Sequence, residues 1–310
     1  VDRPDQQDGA TPAPSSSLLG LVRLARPRQW TKNLLVVVAP AAAGVLFHAG
    51  VAGRTAAAFA IFCVGASGTY FVNDAIDAPS DAVHPSKRNR PIPAGQVTVT
   101  TALVVGFVLM AGAAGLGSWL AGWRMALVMG IYALVNVAYS LGLKHEPVLD
   151  LAAVSAGFVL RAIAGGVATG IPLSNWFLIV ASFGSLLIVA GKRSGEKQLL
   201  TEEHTDHDAV RPTLGSYTPE FLRTVRTLAA AVTVAAYCLW AFERASEVHR
   251  GHDPVWFQLT IVPFTIALLH LLRLFEAGRG AEPEELALHD RRLQIYGLCW
   301  VALFACGVYA

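Results

Sequence analysis

Asn73-Asp74-Ala75-Ile76-Asp77-Ala78-Pro79-Ser80-Asp81-Ala82-Val83-His84-Pro85-Ser86-Lys87-Arg88-Asn89-Arg90-Pro91-Ile92-Pro93-Ala94-Gly95 continues without a break from an apolar segment. Three carboxylates, Asp74, Asp77 and Asp81, and the amide of Asn73 are followed by three cations, Lys87, Arg88 and Arg90. Carboxylates at that density repel one another unless positive charge is placed among them. A hard divalent cation does this with oxygen ligands and still leaves positions for phosphate oxygens. The Lys and Arg side chains then supply charge-assisted donors to the remaining phosphate oxygens. A charged loop between membrane helices also carries cations, which set its topology. The spacing separates the two readings. Asn73 and Asp77 are four apart and Asp74 and Asp77 three apart, so each pair shares a helix face. Pro79 is expected to end that helix, leaving Asp81 to be placed by a turn.

Outward from this stretch the chain is apolar. Of its 310 residues 54% are hydrophobic and only 15% charged, against about 25% charged in a soluble domain; this is a membrane composition. A net charge of +2 gives no reason to expect a nucleic-acid partner. Cys63, Cys238, Cys299 and Cys306 all fall inside apolar runs and read as packing residues, not as disulfides or a zinc site.

Residues 1–17 are polar and Pro/Ser-rich and are expected to be a disordered tail. Residues 18–32 mix leucines with Arg23, Arg26, Arg28, Lys32 and Trp30, the pattern of an amphipathic segment lying on an anionic leaflet. Nine apolar segments follow, at about 33–50, 52–73, 98–121, 124–143, 148–170, 174–190, 223–243, 256–277 and 292–310, most of them near the 20 residues a spanning helix needs. The expected fold is all-α and polytopic, with residues 33–310 as one nine-helix catalytic domain. With the N-terminus cytoplasmic, nineteen Lys and Arg residues fall inside and four outside, the bias expected of that orientation. The inner loops are then 74–97, 191–222 and 278–291.

Two further patches lie on that face. Lys192 and Glu196 are four apart after the sixth segment and can share a helix face. Tyr139, Lys144 and Asp150 form the other patch: Tyr139 ends the fourth segment, Lys144 follows in a short loop, and Arg161 lies inside the fifth segment after Asp150. An intramembrane cation is costly and marks a functional site or a buried ion pair. Asp150 is about 16 Å away along the helix and a poor partner for Arg161; a carboxylate of the Asn73–Asp81 stretch or a phosphate is the better one. Gly165 and Gly166 suit close helix packing. The polar stretch 198–222 holds Glu202, Glu203, His204, Asp206, His207 and Asp208, read as solvated charge, with Arg211 and Tyr217 as candidates for a lid.

Asn73-Asp74-x-x-Asp77-x-x-x-Asp81 followed by Lys87-Arg88-x-Arg90-Pro91-x-Pro93-x-Gly95 resembles the first aspartate-rich motif of the UbiA superfamily of intramembrane prenyltransferases. Arg26-Pro27-x-Gln29-Trp30-x-Lys32 and Leu160-Arg161-Ala162-Ile163-Ala164-Gly165-Gly166 are similar to the phosphoribosyl-transferring branch of that family. The resemblance covers about residues 20–310. Where most prenyl-transferring members carry a second motif, Asp-x-x-x-Asp, this chain has Lys192 and Glu196, one metal ligand fewer and one phosphate ligand more.

The resemblance implies a UbiA-like bundle in the plasma membrane with its active site facing the cytoplasm. It implies 5-phosphoribosyl diphosphate as donor and decaprenyl (polyprenyl) phosphate as acceptor, with diphosphate released, in the synthesis of cell-wall arabinan precursors. It implies Mg2+, with Mn2+ as a substitute, held by Asn73, Asp77, Asp81 and Glu196, and catalytic roles for Asp74, Asp77 and Asp81. Lys87, Arg88, Arg90, Tyr139, Lys144, Arg161 and Lys192 are then the phosphate-binding set. Membrane lipids are further partners, and a homo-oligomer is left open. An aromatic prenyltransferase with a polyprenyl diphosphate donor is the alternative, disfavoured by the missing second motif. A transporter is disfavoured because no inverted repeat is evident.

Overall fold

A computed structural model describes residues 17–84, 87–202, 213–247 and 254–309. The expected disordered tail, apart from Ser17, lies outside these residues, as do the acidic–histidine run at 203–208 and Arg211. Among the described residues there are twelve α-helices and no strand. They are α1 (Leu18–Leu24), α2 (Val38–Ala42), α3 (Val51–Val83), α4 (Val99–Ala121), α5 (Trp123–Leu141), α6 (Leu149–Thr169), α7 (Asn175–Glu202), α8 (Pro219–Glu247), α9 (Val255–Leu259), α10 (Ile261–Glu276), α11 (Pro283–His289) and α12 (Arg291–Tyr309). Among the described residues seven stretches are long and apolar enough to cross a membrane: α3 to α8, and α9 with α10 taken together.

The expected first span, 33–50, is not a continuous α-helix. Pro27–Val37 is a 3-10 helix of eleven residues that passes into the five-residue α2. Runs of 3-10 helix beyond a few residues are uncommon, so tertiary contacts must hold this one. They run down α3 in order. Arg26 reaches Asp74, Trp30 Nε1 donates to Ser67 Oγ at 3.1 Å, and Asn33 Nδ2 meets Cys63 Sγ at 3.3 Å. Val36 then joins the core around Ala58 and Phe62. The segment therefore runs antiparallel to α3. On its other side Gly165 of α6 admits it: a Cβ there would lie 2.0 Å from the Val36 carbonyl oxygen.

α3 corrects a second expectation. It continues through Pro79 to Val83, 33 residues in all and about 50 Å long, longer than a bilayer core is thick. Pro79 removes one backbone donor. The last turn is held from within and from outside: Ser80 Oγ donates to the Asp77 carbonyl at 2.8 Å, and the Asp81 carboxylate is bound by Arg90. Likewise α7 extends to Glu202. Much of the loop sequence expected at 74–97 and 191–222 is thus helix projecting from one end of the bundle.

Packing divides the chain in two. In the first half, α3, α4, α5 and α6 enclose a core of Phe62, Met125, Met129, Tyr132 and Leu160. α3 and α4 cross where Gly68 faces Gly106; a Cβ on Gly68 would stand 2.8 Å from the Gly106 carbonyl oxygen. In the second half, α7 and α8 pack with α10 and α12 around Tyr237, Trp240, Leu274 and Phe275. α12 begins on an N-cap, Asp290, whose Oδ1 accepts from the backbone N–H of Arg292 and Leu293 at 3.0 and 3.1 Å.

Candidate active site

Because α3 is unbroken, Asp74, Asp77 and Asp81 stand on one face of it, and cations from three different parts of the chain converge there. Asp74, 3% exposed, accepts from Arg26 at 2.5 Å and from Arg90 at 3.4 Å. Asp81 accepts from the same Arg90 at 2.6 Å. Asp77 pairs with Lys144 and accepts from Asn73 Nδ2 at 3.1 Å. Asn73 in turn accepts from Ser140 Oγ at 2.7 Å. Local sequence explains each approach. Residues 87–97 fold back as a 3-10 turn and a run of tight turns that carry Arg90 over the end of α3. Lys144 sits in the 3-10 turn Leu143–His145 after α5. Arg26 caps the 3-10 segment in the left-handed region, φ 49°.

The rest of the expected set divides. Lys87 is half-buried and Arg88 exposed on the same fold-back. Tyr139 lies within electrostatic reach of Arg193, and Lys192 is half-exposed one residue away on α7. Glu196, expected among the metal ligands, accepts from Arg193 at 3.0 Å. Arg161 departs most from expectation. It is 5% exposed and lies among neutral acceptors: Asn33 Oδ1 at 2.7 Å, the Gly157 carbonyl at 2.7 Å and Tyr132 OH at 2.8 Å. The rings of Tyr132, Phe158 and Phe62 surround its guanidinium at 4.9 to 5.9 Å. Among the described residues it has no carboxylate partner, and each of its three nitrogens donates to a neutral acceptor of the bundle. It holds the 3-10 segment to α5 and α6.

A second polar centre adjoins the first; the sequence placed Asp150 in a patch with Tyr139 and Lys144 but gave no sign of the partners gathered on it. Asp150, 0% exposed, accepts from Arg193 Nε at 3.1 Å, Thr213 Oγ1 at 3.2 Å and the Tyr217 hydroxyl. Lys197 Nζ donates to the carbonyls of Leu214 and Tyr217 at 3.2 and 2.5 Å. Burial, and then the bond to Asp150, holds the Tyr217 phenol above its ordinary value, so it stays protonated. Tyr217 was a lid candidate by position; it is a pinned, 2% exposed side chain.

Could the α3 face hold a divalent ion? Its donors are of the right kind, hard oxygens in helical register. Among the described residues no three acidic, histidine or cysteine side chains converge as a ready metal cluster, because each carboxylate is turned onto an Arg or Lys. Those same cations are the groups a phosphate would attract. The donor set therefore fits a metal that arrives with a phosphorylated ligand.

Residues 36–298 match the model of the UbiA prenyltransferase family. The chain belongs to the UbiA prenyltransferase family. Like other UbiA proteins it is a multi-pass integral membrane protein. It is 45% identical over 304 residues to a decaprenyl-phosphate phosphoribosyltransferase of Mycolicibacterium smegmatis, covering 96% of this chain and 94% of that one. It is 46% identical over 294 residues to the protein of the same name from Corynebacterium glutamicum, covering 94% and 87%. Its fold is similar to that of a UbiA homolog from Archaeoglobus fulgidus solved with DMAPP and Mg2+, with a TM-score of 0.68 at 16% identity over 93% of this chain and 97% of that one.

Proposed function

We propose that this UbiA protein transfers the 5-phosphoribosyl group from 5-phosphoribosyl diphosphate to decaprenyl phosphate, or a polyprenyl phosphate close to it, and releases diphosphate. The observation that carries this is the identity of about 45% along nearly the whole of both chains to relatives of that name. The product feeds cell-wall arabinan precursor synthesis on the cytoplasmic face of the plasma membrane.

The site gives each residue work in that reaction. The anomeric C–O bond to the diphosphate breaks, its electron pair leaves with the diphosphate, and an oxygen of the lipid phosphate forms the new C–O bond. The acceptor is already an anion, so no general base is needed. Mg2+, held by Asn73, Asp77 and Asp81, supplies Lewis-acid neutralisation of the charge on the leaving group when bound. Lys144 and Arg90 turn from the carboxylates to the phosphate oxygens, with Lys87, Arg88 and Lys192 at hand for the second phosphate-bearing substrate. Asp74, fixed by Arg26, keeps the face rigid and is the carboxylate assigned to the ribose hydroxyls. Direct displacement inverts the anomeric carbon. NMR of the product checks this, and a product with the donor's configuration contradicts it.

The orientation follows the charge bias: N-terminus and α3 carboxylates cytoplasmic. Nine crossings result if the broken segment 27–50 and α12 join the seven long spans. The stepwise contacts of Arg26, Trp30 and Asn33 down α3 support the first of these.

The test offers the purified protein two substrate pairs in detergent with Mg2+. One is labelled 5-phosphoribosyl diphosphate with polyprenyl phosphate; the other is labelled prenyl diphosphate with 4-hydroxybenzoate. Lipid-extractable ribose label is expected from the first. Transfer confined to the second pair would make the protein an aromatic prenyltransferase instead.

A further inference from the structure

Among the described residues only two non-glycine residues have positive φ, Arg26 and Val148. A non-glycine in that region is strained, a β-branched one most of all. Arg26 delivers its own guanidinium to Asp74. Val148 closes the turn that delivers Lys144 to Asp77.

Val148 has φ 70° and ψ −45°. Its side chain is 53% exposed, so burial does not compensate the strain. What holds it is a backbone bond: its N–H donates to the Tyr217 hydroxyl at 2.8 Å, and that hydroxyl donates its proton to Asp150. The phenol is thus used fully, one acceptor site and one donor, and its ring stacks on Phe221 at 5.6 Å. Asp150 is anchored in turn by Arg193 and Thr213. Between Lys144 and Val148 the turn is internally tied. His145 N–H bonds the Gly142 carbonyl at 2.9 Å, Glu146 N–H the Leu143 carbonyl at 3.2 Å, and Asp150 N–H the Glu146 carbonyl at 3.1 Å. A rotation at Val148 therefore moves Lys144 with it.

We propose that Tyr217 and Asp150 are positioning residues for Lys144: they clamp the 142–148 turn in a conformation it would otherwise leave, and so set the Lys144 ammonium against Asp77 and the incoming phosphate. The clamp reaches that end of α3 from residues more than sixty positions along the chain. It makes the segment after residue 212 part of the site's geometry without touching substrate. The kinetic part of the proposal rests on the phosphoribosyltransferase reading; the conformational part does not.

The test compares the wild-type full chain, Tyr217→Phe, and Tyr217→Phe with Val148→Gly. Phe keeps the volume and the stack on Phe221 but loses both hydrogen bonds. Amide hydrogen exchange across 142–149 is expected to quicken about tenfold in Tyr217→Phe, the worth of one buried hydrogen bond. The KM for 5-phosphoribosyl diphosphate is expected to rise by about the same factor, with kcat changed less. Glycine holds positive φ without a tether, so Val148→Gly in that background is expected to bring KM back toward wild type. Unchanged exchange means there is no clamp. Faster exchange with unchanged KM, or no recovery with glycine, means the contact is structural only; each overturns the proposal. If even the wild type makes no lipid-linked ribose, the reaction assignment has failed. The clamp is then decided by exchange and by the affinity for inorganic diphosphate measured on the same three proteins.

Discussion

Asp74, Asp77 and Asp81 are each neutralised by a cation that comes from elsewhere in the chain: Arg26 from before α3, Arg90 from after it, Lys144 from the turn beyond α5. Arg90 serves two of them. Arg90→Ala should leave Asp74 and Asp81, both 3% exposed, short of positive charge. Truncating one partner of a buried charge pair costs about 2–5 kcal/mol, so kcat/KM is expected to fall about 100-fold or more, measured by label transfer. Arg161 should behave in the opposite way. Arg161→Met strands Asn33 Oδ1 and Tyr132 OH, groups bonded to it at 2.7 and 2.8 Å. The expected cost is about 3 kcal/mol of stability, from two buried acceptors left unsatisfied at about 1–3 kcal/mol each, seen as a lower Tm in detergent, with the donor KM of the surviving enzyme unchanged. A raised KM at unchanged Tm would instead make Arg161 a phosphate-binding residue. The carboxylates were legible in the sequence because their spacing is local and repeats at helical intervals. Their partners were not: Arg26 is 48 residues from Asp74 and Lys144 is 67 from Asp77, and no sequence pattern marks such a pairing. Asp150 was grouped with Tyr139 and Lys144, and set aside as a partner for Arg161; its buried contacts with Arg193, Thr213 and Tyr217 arise only when α6, α7 and residues 213–217 meet.

The helical elements were legible to the extent that apolar length defines them, and the departures share a cause. Pro79 failed to end α3 and 33–50 failed to form a plain helix because tertiary contacts outweighed local preference in both places. Gly165 makes the second case testable. Gly165→Ala would place a Cβ 2.0 Å from the Val36 carbonyl oxygen, forcing the 3-10 segment away from α6 and costing at least about 2 kcal/mol. Gly112→Ala is the control: a Cβ there meets nothing within 4 Å, and replacing a helical glycine by alanine is neutral or stabilising by up to about 1 kcal/mol. The two Tm values should move in opposite directions or differ by several degrees. At the start of α12 the Leu293 backbone N–H, foremost among its contacts, holds the Asp290 carboxyl below its ordinary value. A carboxyl whose pKa is lower folded than unfolded stabilises the fold above its unfolded pKa of 3.8 and loses that contribution as pH falls through the folded value. Asp290→Ala should therefore lower Tm near neutral pH, as loss of an N-cap does, and the difference from wild type should shrink in acid.

At the scale of the molecule, one end of the bundle gathers the charge of the candidate site: the α3 carboxylates, the fold-back after residue 87, the Lys144 turn and the Asp150 centre. Charge bias in the sequence had already assigned these to one face, since loop cations report topology whatever the helices do in detail. What it could not give was their depth or grouping, because α3 and α7 carry the polar residues on helical extensions rather than in loops. The topology has its own test in single cysteines probed with an impermeant maleimide on whole cells. Phe47→Cys should label from outside and Arg88→Cys only after permeabilisation; the reverse pattern would invert the orientation. The central claim is that ribose transfer takes place at the α3 carboxylates. The most direct measurement is incorporation of labelled ribose from 5-phosphoribosyl diphosphate into extracted polyprenyl lipid, by wild type and by Asp77→Ala, each with Mg2+ and with EDTA. The account predicts label from wild type with Mg2+ alone, and at least about 100-fold less from Asp77→Ala even though its Tm stays near wild type. Full transfer by Asp77→Ala, or transfer by wild type that EDTA leaves untouched, would contradict it.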